Sequence, residues 1–168
     1  MKNPSLENFS VREALWSDLE QLIEFNAAMA LETEGRVLDR DRLRSGAQGV
    51  LSAPSRGLYV VGESLEEGGQ ARRVVGQLLI TFEWSDWRNA NFWWIQSLYV
   101  HPDWRNRGVF RTMYKYVLHQ VECRTDVCGI RLYVEQDNAK ALSVYDKLGL
   151  RLTPYRICEV DFILPRSR

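Results

Sequence analysis

The stretch that decides the fold is Trp104-Arg105-Asn106-Arg107-Gly108-Val109-Phe110-Arg111, a basic turn with one glycine. An aromatic and β-branched run over residues 92–100 precedes it and is typical of a strand, which residues 101–103 then end. Apolar residues recur at helical spacing over residues 109–121, so a helix is predicted to begin at the glycine. The first turn of a helix leaves backbone N–H groups without internal partners, and these bind phosphate. The sequence therefore predicts an anion site, with charge added by Arg105, Arg107 and Arg111.

A second pair of strand and helix follows this turn. Residues 129–134 are predicted to form a strand, and residues 139–148 a short helix that Gly149 ends. Asn138 lies between them, and Tyr145 lies within the helix. The order is therefore strand, basic turn, helix, strand, Asn, and helix with Tyr.

This order resembles the GNAT superfamily of acetyl-CoA-dependent N-acetyltransferases. The family's central motif, Arg/Gln-x-x-Gly-x-Gly/Ala, matches residues 105–110, except that Phe110 stands where the family has Gly or Ala. A second signature, an Asn, a Tyr seven residues later and then a Gly-aliphatic pair, matches Asn138, Tyr145 and Gly149-Leu150. The resemblance extends from Arg73 to Phe162. It implies an α+β fold with a mixed, mostly antiparallel central sheet flanked by helices.

The N-terminal half supplies the remaining elements. The predicted segments are a strand over 9–14, a helix opened by the capping-box spacing of Ser17-Asp18-Leu19-Glu20, a helix over 39–51, and strands over 58–61 and 74–82. A loop over residues 63–70, which contains Gly68-Gly69 and several charges, is predicted to be a mobile hairpin connection. No repeat or linker interrupts the chain, so one acyltransferase domain is predicted over residues 1–168.

Composition excludes several function classes. The chain has 168 residues, which fits one domain, and its 22 Lys and Arg balance 22 Asp and Glu, so no bulk charge favours nucleic acid or membrane. No apolar run approaches the length of a membrane span and no signal-peptide region is seen, so a cytoplasmic location is expected. Cys123, Cys128 and Cys158 form no C-x-x-C pair and are expected to be reduced thiols in packing roles, with no metal site.

The resemblance implies a site for acetyl-CoA that is made largely by backbone. The pyrophosphate is expected on the N–H groups of residues 107–111, and the pantetheine arm is expected to pair with the strand edge at residues 98–100. The Leu98 N–H is expected to bind the thioester oxygen as negative charge develops there. The implied cofactor-binding residues are Leu98, Tyr99, Val100, Arg105, Asn106, Arg107, Gly108, Val109, Phe110, Arg111, Asn138 and Tyr145.

Tyr145 resembles the family's general acid, which protonates the leaving thiolate. A phenol has a reference pKa of about 10, so it stays protonated at neutral pH. The alternative for Tyr145 is a core position on its helix. Asn138 is expected to hydrogen-bond the cofactor or a water, to cap the helix that follows, or to do both.

The sequence does not identify the base that deprotonates the incoming ammonium. Residues 95–100 resemble the strand that carries Glu-Asp in polyamine and diamine acetyltransferases, but this chain has Gln96-Ser97 there, and Gln96 cannot accept a proton. The candidates are Glu83, Glu135, Glu32 and Glu34, acting through ordered water. The alternatives are that these are solvated carboxylates and that the amine arrives neutral.

The composition of residues 82–94 indicates which kind of substrate the protein binds. It contains four tryptophans together with Glu83 and Asp86, and it is predicted to be a loop between two strands. Such a loop is a candidate cage for a cationic head group, with Trp84, Asp86 and Gln96 as substrate residues. The alternative is a dimer contact or a hydrophobic plug. Strand alternation sends Trp93 and Trp94 to opposite faces.

The function predicted from these features is acetyl transfer from acetyl-CoA to a small primary amine, by direct attack in a ternary complex, in a homodimer. Two alternatives stay open. One is a non-catalytic acyl-CoA-binding or regulatory module that has lost the base at Gln96. The other is a protein-directed N-acetyltransferase. The presence of Tyr145 favours an enzyme, because a binding module needs no proton donor.

Overall fold

Five β-strands form one sheet in the order in which they follow in the chain. The strands of this computed structural model are β1 (Phe9–Glu13), β2 (Leu58–Ser64), β3 (Val74–Ser85), β4 (Ala90–Val100) and β5 (Val127–Leu132). Neighbours pair antiparallel from β1 to β4, whereas β4 and β5 are parallel. The predicted mixed, mostly antiparallel sheet is therefore confirmed.

The structure describes residues 9–64 and 72–164, which fall into two compact units that meet in sequence between Tyr133 and Val134. The first unit holds the sheet and the helices α1 (Leu19–Glu34), α2 (Arg40–Leu51) and α3 (Val109–Glu122). The second holds α4 (Ala139–Lys147), and residues 151–164 form no helix or strand. The predicted domain extent, 1–168, stays a prediction. Most of the loop predicted over 63–70 lies outside the described residues.

The predicted capping box at Ser17 does not form. A short 3₁₀ turn over Trp16–Asp18 precedes α1, and Asp18 is the residue before the helix. The Asp18 carboxylate instead accepts two hydrogen bonds from the Arg12 guanidinium and one from the Leu15 N–H. Burial alone would raise the pKa of Asp18, but these hydrogen bonds favour the charged form and hold the pKa below its ordinary value.

The helices of the first unit cover both faces of the sheet. Helices α1 and α2 pack on the face that carries Tyr59 and Val61, in one apolar cluster. Helix α3 packs on the other face, to which Gly62 and Gly76 belong. A Cβ added at Gly62 or Gly76 would lie 3.1 or 3.0 Å from Val109 Cγ1, so these two glycines let the first turn of α3 approach the sheet closely.

The tryptophan-rich segment is a long hairpin and not a loop, which corrects the prediction. Strand β3 extends beyond Phe82 to Ser85, β4 begins at Ala90, and the turn is confined to residues 86–89. Aromatic and β-branched residues suit a half-buried pleated surface, so they continue the strands. Trp93 packs against Phe82 in the interior, whereas the ring of Trp94, on the opposite face, lies 4.7 Å from that of Tyr133.

Candidate active site

Strand β4 has a free edge in its C-terminal half. It pairs with β3 as far as Val100, but its pairing with β5 ends at Ile95 opposite Leu132. A bulge places Gln96 between two residues that pair in succession with β3. Over residues 96–100 the backbone thus has no described strand on its β5 side. An extended ligand arm can pair with such an edge, as the family resemblance implies for residues 98–100.

The chain runs from this edge directly into the basic turn. Asn106 (φ 62°) and Gly108 (φ 87°) both have left-handed backbone conformations, and α3 begins at Val109. Gly108 is the residue before the helix and offers no side chain to cap it, and the first N–H shown bonding back is that of Thr112, to the Gly108 carbonyl at 3.0 Å. Alternating left-handed residues and an uncapped helix start gather backbone N–H groups into an anion-binding concavity.

The arginines of the turn differ in their contacts. Arg107 and Arg111 are exposed, and the Arg107 guanidinium lies 5.2 Å from the centre of the Trp104 ring. Arg105 is tied to the protein, because its Nε donates to the Val100 carbonyl at 2.9 Å and its Nη2 to Glu32 Oε2 at 2.6 Å. Arg105 therefore holds the turn to the end of β4 and to α1. Its predicted contact with the cofactor stays a prediction.

Phe110, at the position where the family has Gly or Ala, points along the helix. Its ring centre lies 6.0 Å from that of Tyr114, one turn further along α3. Residues four apart on a helix are surface neighbours, so this pair is the contact that helix geometry favours. The first turn of α3 forms with this bulky residue in place.

Glu32 forms the centre of a network that sequence reasoning missed. It accepts hydrogen bonds from the Tyr99 hydroxyl at 2.7 Å and from Arg105. The hydrogen bond from Tyr99, with that from Arg105, holds the pKa of Glu32 below its ordinary value. A carboxylate that holds its proton so weakly is a poor general base. Nothing local in the sequence indicates this network, because α1, β4 and the turn are far apart along the chain.

The remaining candidate bases are also engaged or exposed. Glu83 Oε1 accepts from Arg131 Nη1 at 2.6 Å. Glu34 forms an ion pair with Arg36 at 3.4 Å, and Glu135 is exposed in the second unit. Gln96 donates from Nε2 to Thr81 Oγ1 at 2.8 Å.

The second unit presents the other signature of the family. Asn138 Oδ1 accepts from the Ala141 N–H at 3.0 Å, so Asn138 caps α4, as one of its two predicted roles requires. Tyr145 lies in the last turns of α4, and burial raises its pKa above the ordinary phenol value. A raised pKa keeps the Tyr145 hydroxyl protonated at neutral pH.

The predicted substrate residues lie along the hairpin. Trp84 and Trp87 are 58% and 87% exposed. Asp86 lies in the turn, where its carboxylate accepts the Trp87 N–H at 2.9 Å. The protein's own arginines lie over aromatic rings of this hairpin: the guanidinium of Arg131 is 3.6 Å from the centre of the Phe92 ring, and that of Arg88 is 5.0 Å from it.

Two findings bear on ions and membranes. Among the residues that the structure describes, no group of three or more His, Cys, Asp or Glu side chains could hold a metal ion. Over the same residues, no helix is long and apolar enough to cross a membrane.

Cys123 and Cys158 are exposed, so the predicted packing role is wrong for them, whereas Cys128 is half-buried beside the Ala90 carbonyl.

Known proteins share both sequence and fold with this chain. The acetyltransferase (GNAT) family model matches residues 11–150. A possible acetyltransferase from Clostridium difficile 630 is 37% identical, with 94% of this chain and 100% of that chain covered and a TM-score of 0.82. No curated protein matches the sequence.

More distant structures have the same fold. One is an aminoglycoside N-acetyltransferase in complex with CoA, at 13% identity, 92% and 95% coverage and a TM-score of 0.65. Another is a ribosomal-protein-alanine N-acetyltransferase from Brucella melitensis biovar Abortus 2308, at 12% identity, 92% and 99% coverage and a TM-score of 0.67. On the family match and the close relative, this chain belongs to the GNAT family of acetyltransferases.

Proposed function

We propose that this protein transfers an acetyl group from acetyl-CoA to a primary amine of a small molecule, by direct attack in a ternary complex. The observation that carries the proposal is the continuity of the free β4 edge at residues 96–100 with the uncapped turn at Gly108. An extended arm with a diphosphate at one end matches a strand edge that leads into an anion-binding turn. Acetyl-CoA has that form, and it would supply the activated acetyl group.

The roles that we propose for the β4 edge and the turn follow from this placement, and those for Asn138 and Tyr145 follow from the family resemblance. The backbone of Leu98, Tyr99 and Val100 would hold the arm, and the N–H groups of the Gly108 turn would hold the pyrophosphate. The Leu98 N–H is our proposed donor to the thioester oxygen. The Tyr145 hydroxyl, whose raised pKa keeps it protonated at neutral pH, is our proposed proton donor to the leaving thiolate. Asn138, beyond capping α4, is our proposed contact to the cofactor.

The proposed mechanism uses no carboxylate as a base. Glu32 and Glu83 each form an ion pair with an arginine. At the position of Gln96, the diamine acetyltransferases that this strand resembles carry a carboxylate. The amine would thus arrive neutral, and we expect the rate to rise with pH as free amine becomes available. A plateau below pH 7 would show that Glu135, Glu34 or another group acts as the base.

A homodimer and a cytoplasmic location stay predictions. The exposed Trp84 and Trp87 at the tip of the hairpin suit either a dimer contact or a substrate surface. We propose a small molecule, and not a protein, as the acceptor of the acetyl group. The distant aminoglycoside enzyme and the ribosomal-protein enzyme share the fold, so the fold supports neither class over the other.

A melting experiment tests the cofactor site. Acetyl-CoA at about one hundred times its dissociation constant adds roughly 2.7 kcal/mol, which for a chain of this size raises the melting temperature by about 5–11 °C. Gly108→Asp should lose most of this shift, because its carboxylate repels the pyrophosphate. Gly108→Asn is the matched control, since it has the same shape without the charge. If saturating acetyl-CoA leaves the wild-type melting temperature unchanged, the site is not where we place it.

Thiol release against a panel of amines then separates the function classes. Release that depends on a small amine supports the enzyme that we propose. Cofactor binding without thiol release from any amine or peptide indicates the non-catalytic module. Peptides that outcompete every small amine indicate the protein-directed enzyme.

A further inference from the structure

Arg131 and Glu83 form an accessible ion pair on the aromatic surface of the sheet. The Arg131 guanidinium stacks on the Phe92 ring at 3.6 Å and lies 5.7 Å from the Trp94 ring centre. Its Nη1 donates to Glu83 Oε1 at 2.6 Å. The Arg131 and Glu83 side chains are 35% and 44% exposed, so a ligand can reach both. The stack fixes the plane of the guanidinium, which reduces what a ligand must order on binding.

Within the described part of the chain, one of the three nitrogens of this guanidinium, Nη1, donates a hydrogen bond. A guanidinium has five N–H donors, and its Nε and Nη2 together form an edge that matches a carboxylate. The structure shows no acceptor for Nε or Nη2 of Arg131 among residues 9–64 and 72–164, and none of those residues donates to the second oxygen of Glu83. Arg131 thus offers its Nε and Nη2 to an anionic group of a ligand, and Glu83 offers its second oxygen to a hydrogen-bond donor beside that group.

The pair lies beside the place where β4 and β5 separate. Arg131 pairs with Trp94, and only one further pair, Ile95 with Leu132, follows before the strands stop pairing. The Trp94 Nε1 and the Ser97 hydroxyl are buried without a partner in the described part of the chain, so this stretch of β4 carries unmet hydrogen-bonding capacity. Polar groups therefore run along one face of the sheet from the ion pair toward the free edge of β4.

We propose that Arg131 binds a carboxylate carried by the acceptor, so that the enzyme selects small primary amines that also bear a carboxylate some distance from the reactive nitrogen. This inference rests on the proposed function, because it places the acceptor along β4 between Arg131 and the backbone N–H of Leu98. Trp94 and Leu98 are separated by roughly 13 Å at about 3.3 Å per residue, and by less across the bulge. An acceptor with its amine and its carboxylate at opposite ends of a short chain spans such a gap. A cationic head group is disfavoured on the Phe92 and Trp94 rings, because Arg131 already lies over both of them.

The test compares two acceptors that differ only in the carboxylate, ε-aminocaproate and ε-aminocaproamide. A charge-assisted bidentate contact at this exposure should make kcat/KM for the carboxylate about 10-fold higher than for the amide. Arg131→Met should abolish this preference, because the apolar stem stays on Phe92 while the charge is lost. Glu83→Gln keeps Arg131 and removes the neighbouring negative charge, so it should strengthen the preference.

Arg124→Met is the matched control. Arg124 also stacks on a tryptophan of β4, Trp93, and also pairs with a carboxylate, Asp126, but on the opposite face of the sheet. This variant should keep the wild-type ratio. Equal use of the two acceptors by the wild type, or loss of the preference in Arg124→Met to the same extent as in Arg131→Met, overturns the inference. So does a preference that Glu83→Gln leaves unchanged or weakens.

Calorimetric binding of the same two acceptors separates this inference from the proposed function. If no amine releases thiol, the proposed function fails, and the binding ratio alone decides the inference. If thiol is released while both acceptors bind and react equally, the proposed function stands and the inference fails.

Discussion

Replacing Glu32 with alanine should weaken both the fold and the cofactor site, because Glu32 connects α1 to the end of β4 and to the turn. Its carboxylate accepts from the hydroxyl of Tyr99, a largely buried residue, at 2.7 Å and from Arg105 at 2.6 Å. The Arg105 guanidinium also lies 5.4 Å from the centre of the Tyr99 ring and donates to the Val100 carbonyl. Glu32→Ala removes the acceptor that these two donors share.

The free energy of unfolding that Glu32→Ala loses can be estimated from how exposed the interacting side chains are. The Glu32 and Arg105 side chains are each 41% exposed, so solvent screens their ion pair, which contributes about 0.2–1 kcal/mol. The Tyr99 hydroxyl loses its partner near the surface, which costs about 1 kcal/mol, at the low end for a buried donor. The sum is about 1–2 kcal/mol, which lowers the melting temperature by about 2–8 °C for a chain of this size.

Cofactor affinity should fall as well. Freed from Glu32, Arg105 and the turn must be ordered when the ligand binds, at about 0.5–1.5 kcal/mol for one such side chain. The dissociation constant for acetyl-CoA should therefore rise about 2- to 10-fold. Calorimetric titration of acetyl-CoA and thermal melts of the same samples measure both effects.

Glu34→Ala is the control for these measurements, because Glu34 ends the same helix and pairs with Arg36 at 3.4 Å away from the turn. It should change neither the melting temperature nor the dissociation constant measurably. Equal melting temperatures and equal affinities for the Glu32 and Glu34 variants would refute the role of Glu32.

The stabilisation by Glu32 should depend on pH with a defined sign. Hydrogen bonds from Tyr99 and Arg105 lower the pKa of Glu32 in the folded protein, so the folded state favours the charged form. The stabilisation is present above the ordinary glutamate pKa of about 4.3 and is lost as pH falls through the lowered folded value. The difference in melting temperature between wild type and Glu32→Gln should therefore be constant near neutral pH and shrink below about pH 4.

Two further substitutions test the proton donor and the placement of α3. Tyr145→Phe should keep acetyl-CoA affinity but slow thiol release by about 10²- to 10⁴-fold, the range for general acid catalysis, and a turnover within about twofold of wild type would exclude this role. Gly76→Ala should destabilise the fold by about 1–3 kcal/mol, as overpacking does. Its Cβ would lie 3.0 Å from Val109 Cγ1 and 3.3 Å from the Tyr99 carbonyl oxygen. Gly46→Ala, where a Cβ meets nothing within 4 Å inside α2, should instead stabilise, and melts that fail to separate the two alanines would contradict the packing argument.

Local chemistry along the chain was sufficient to predict the basic turn and the elements around it. The strand before the turn, the start of α3 at Val109 and the cap of α4 at Asn138 depend on propensity, on Gly108 and on a side chain that reaches three residues ahead. Such signals act over one turn of helix or a few residues of strand, so they can be read from sequence. The sequence predicted a mixed sheet, and the structure shows that its parallel pair is β4 with β5, which a helical crossover joins.

Only the tertiary structure decided which distant side chains meet. Glu32 reaches Tyr99 and Arg105 across 67 and 73 residues, and Glu83 reaches Arg131 across 48. These contacts depend on the pairing register of β3, β4 and β5, and a shift of one residue would turn every side chain to the other face. The bulge at Gln96 and the end of β5 pairing at Leu132 depend on that same register, and so does the ion pair with Arg131 that engages Glu83, one of the candidate bases.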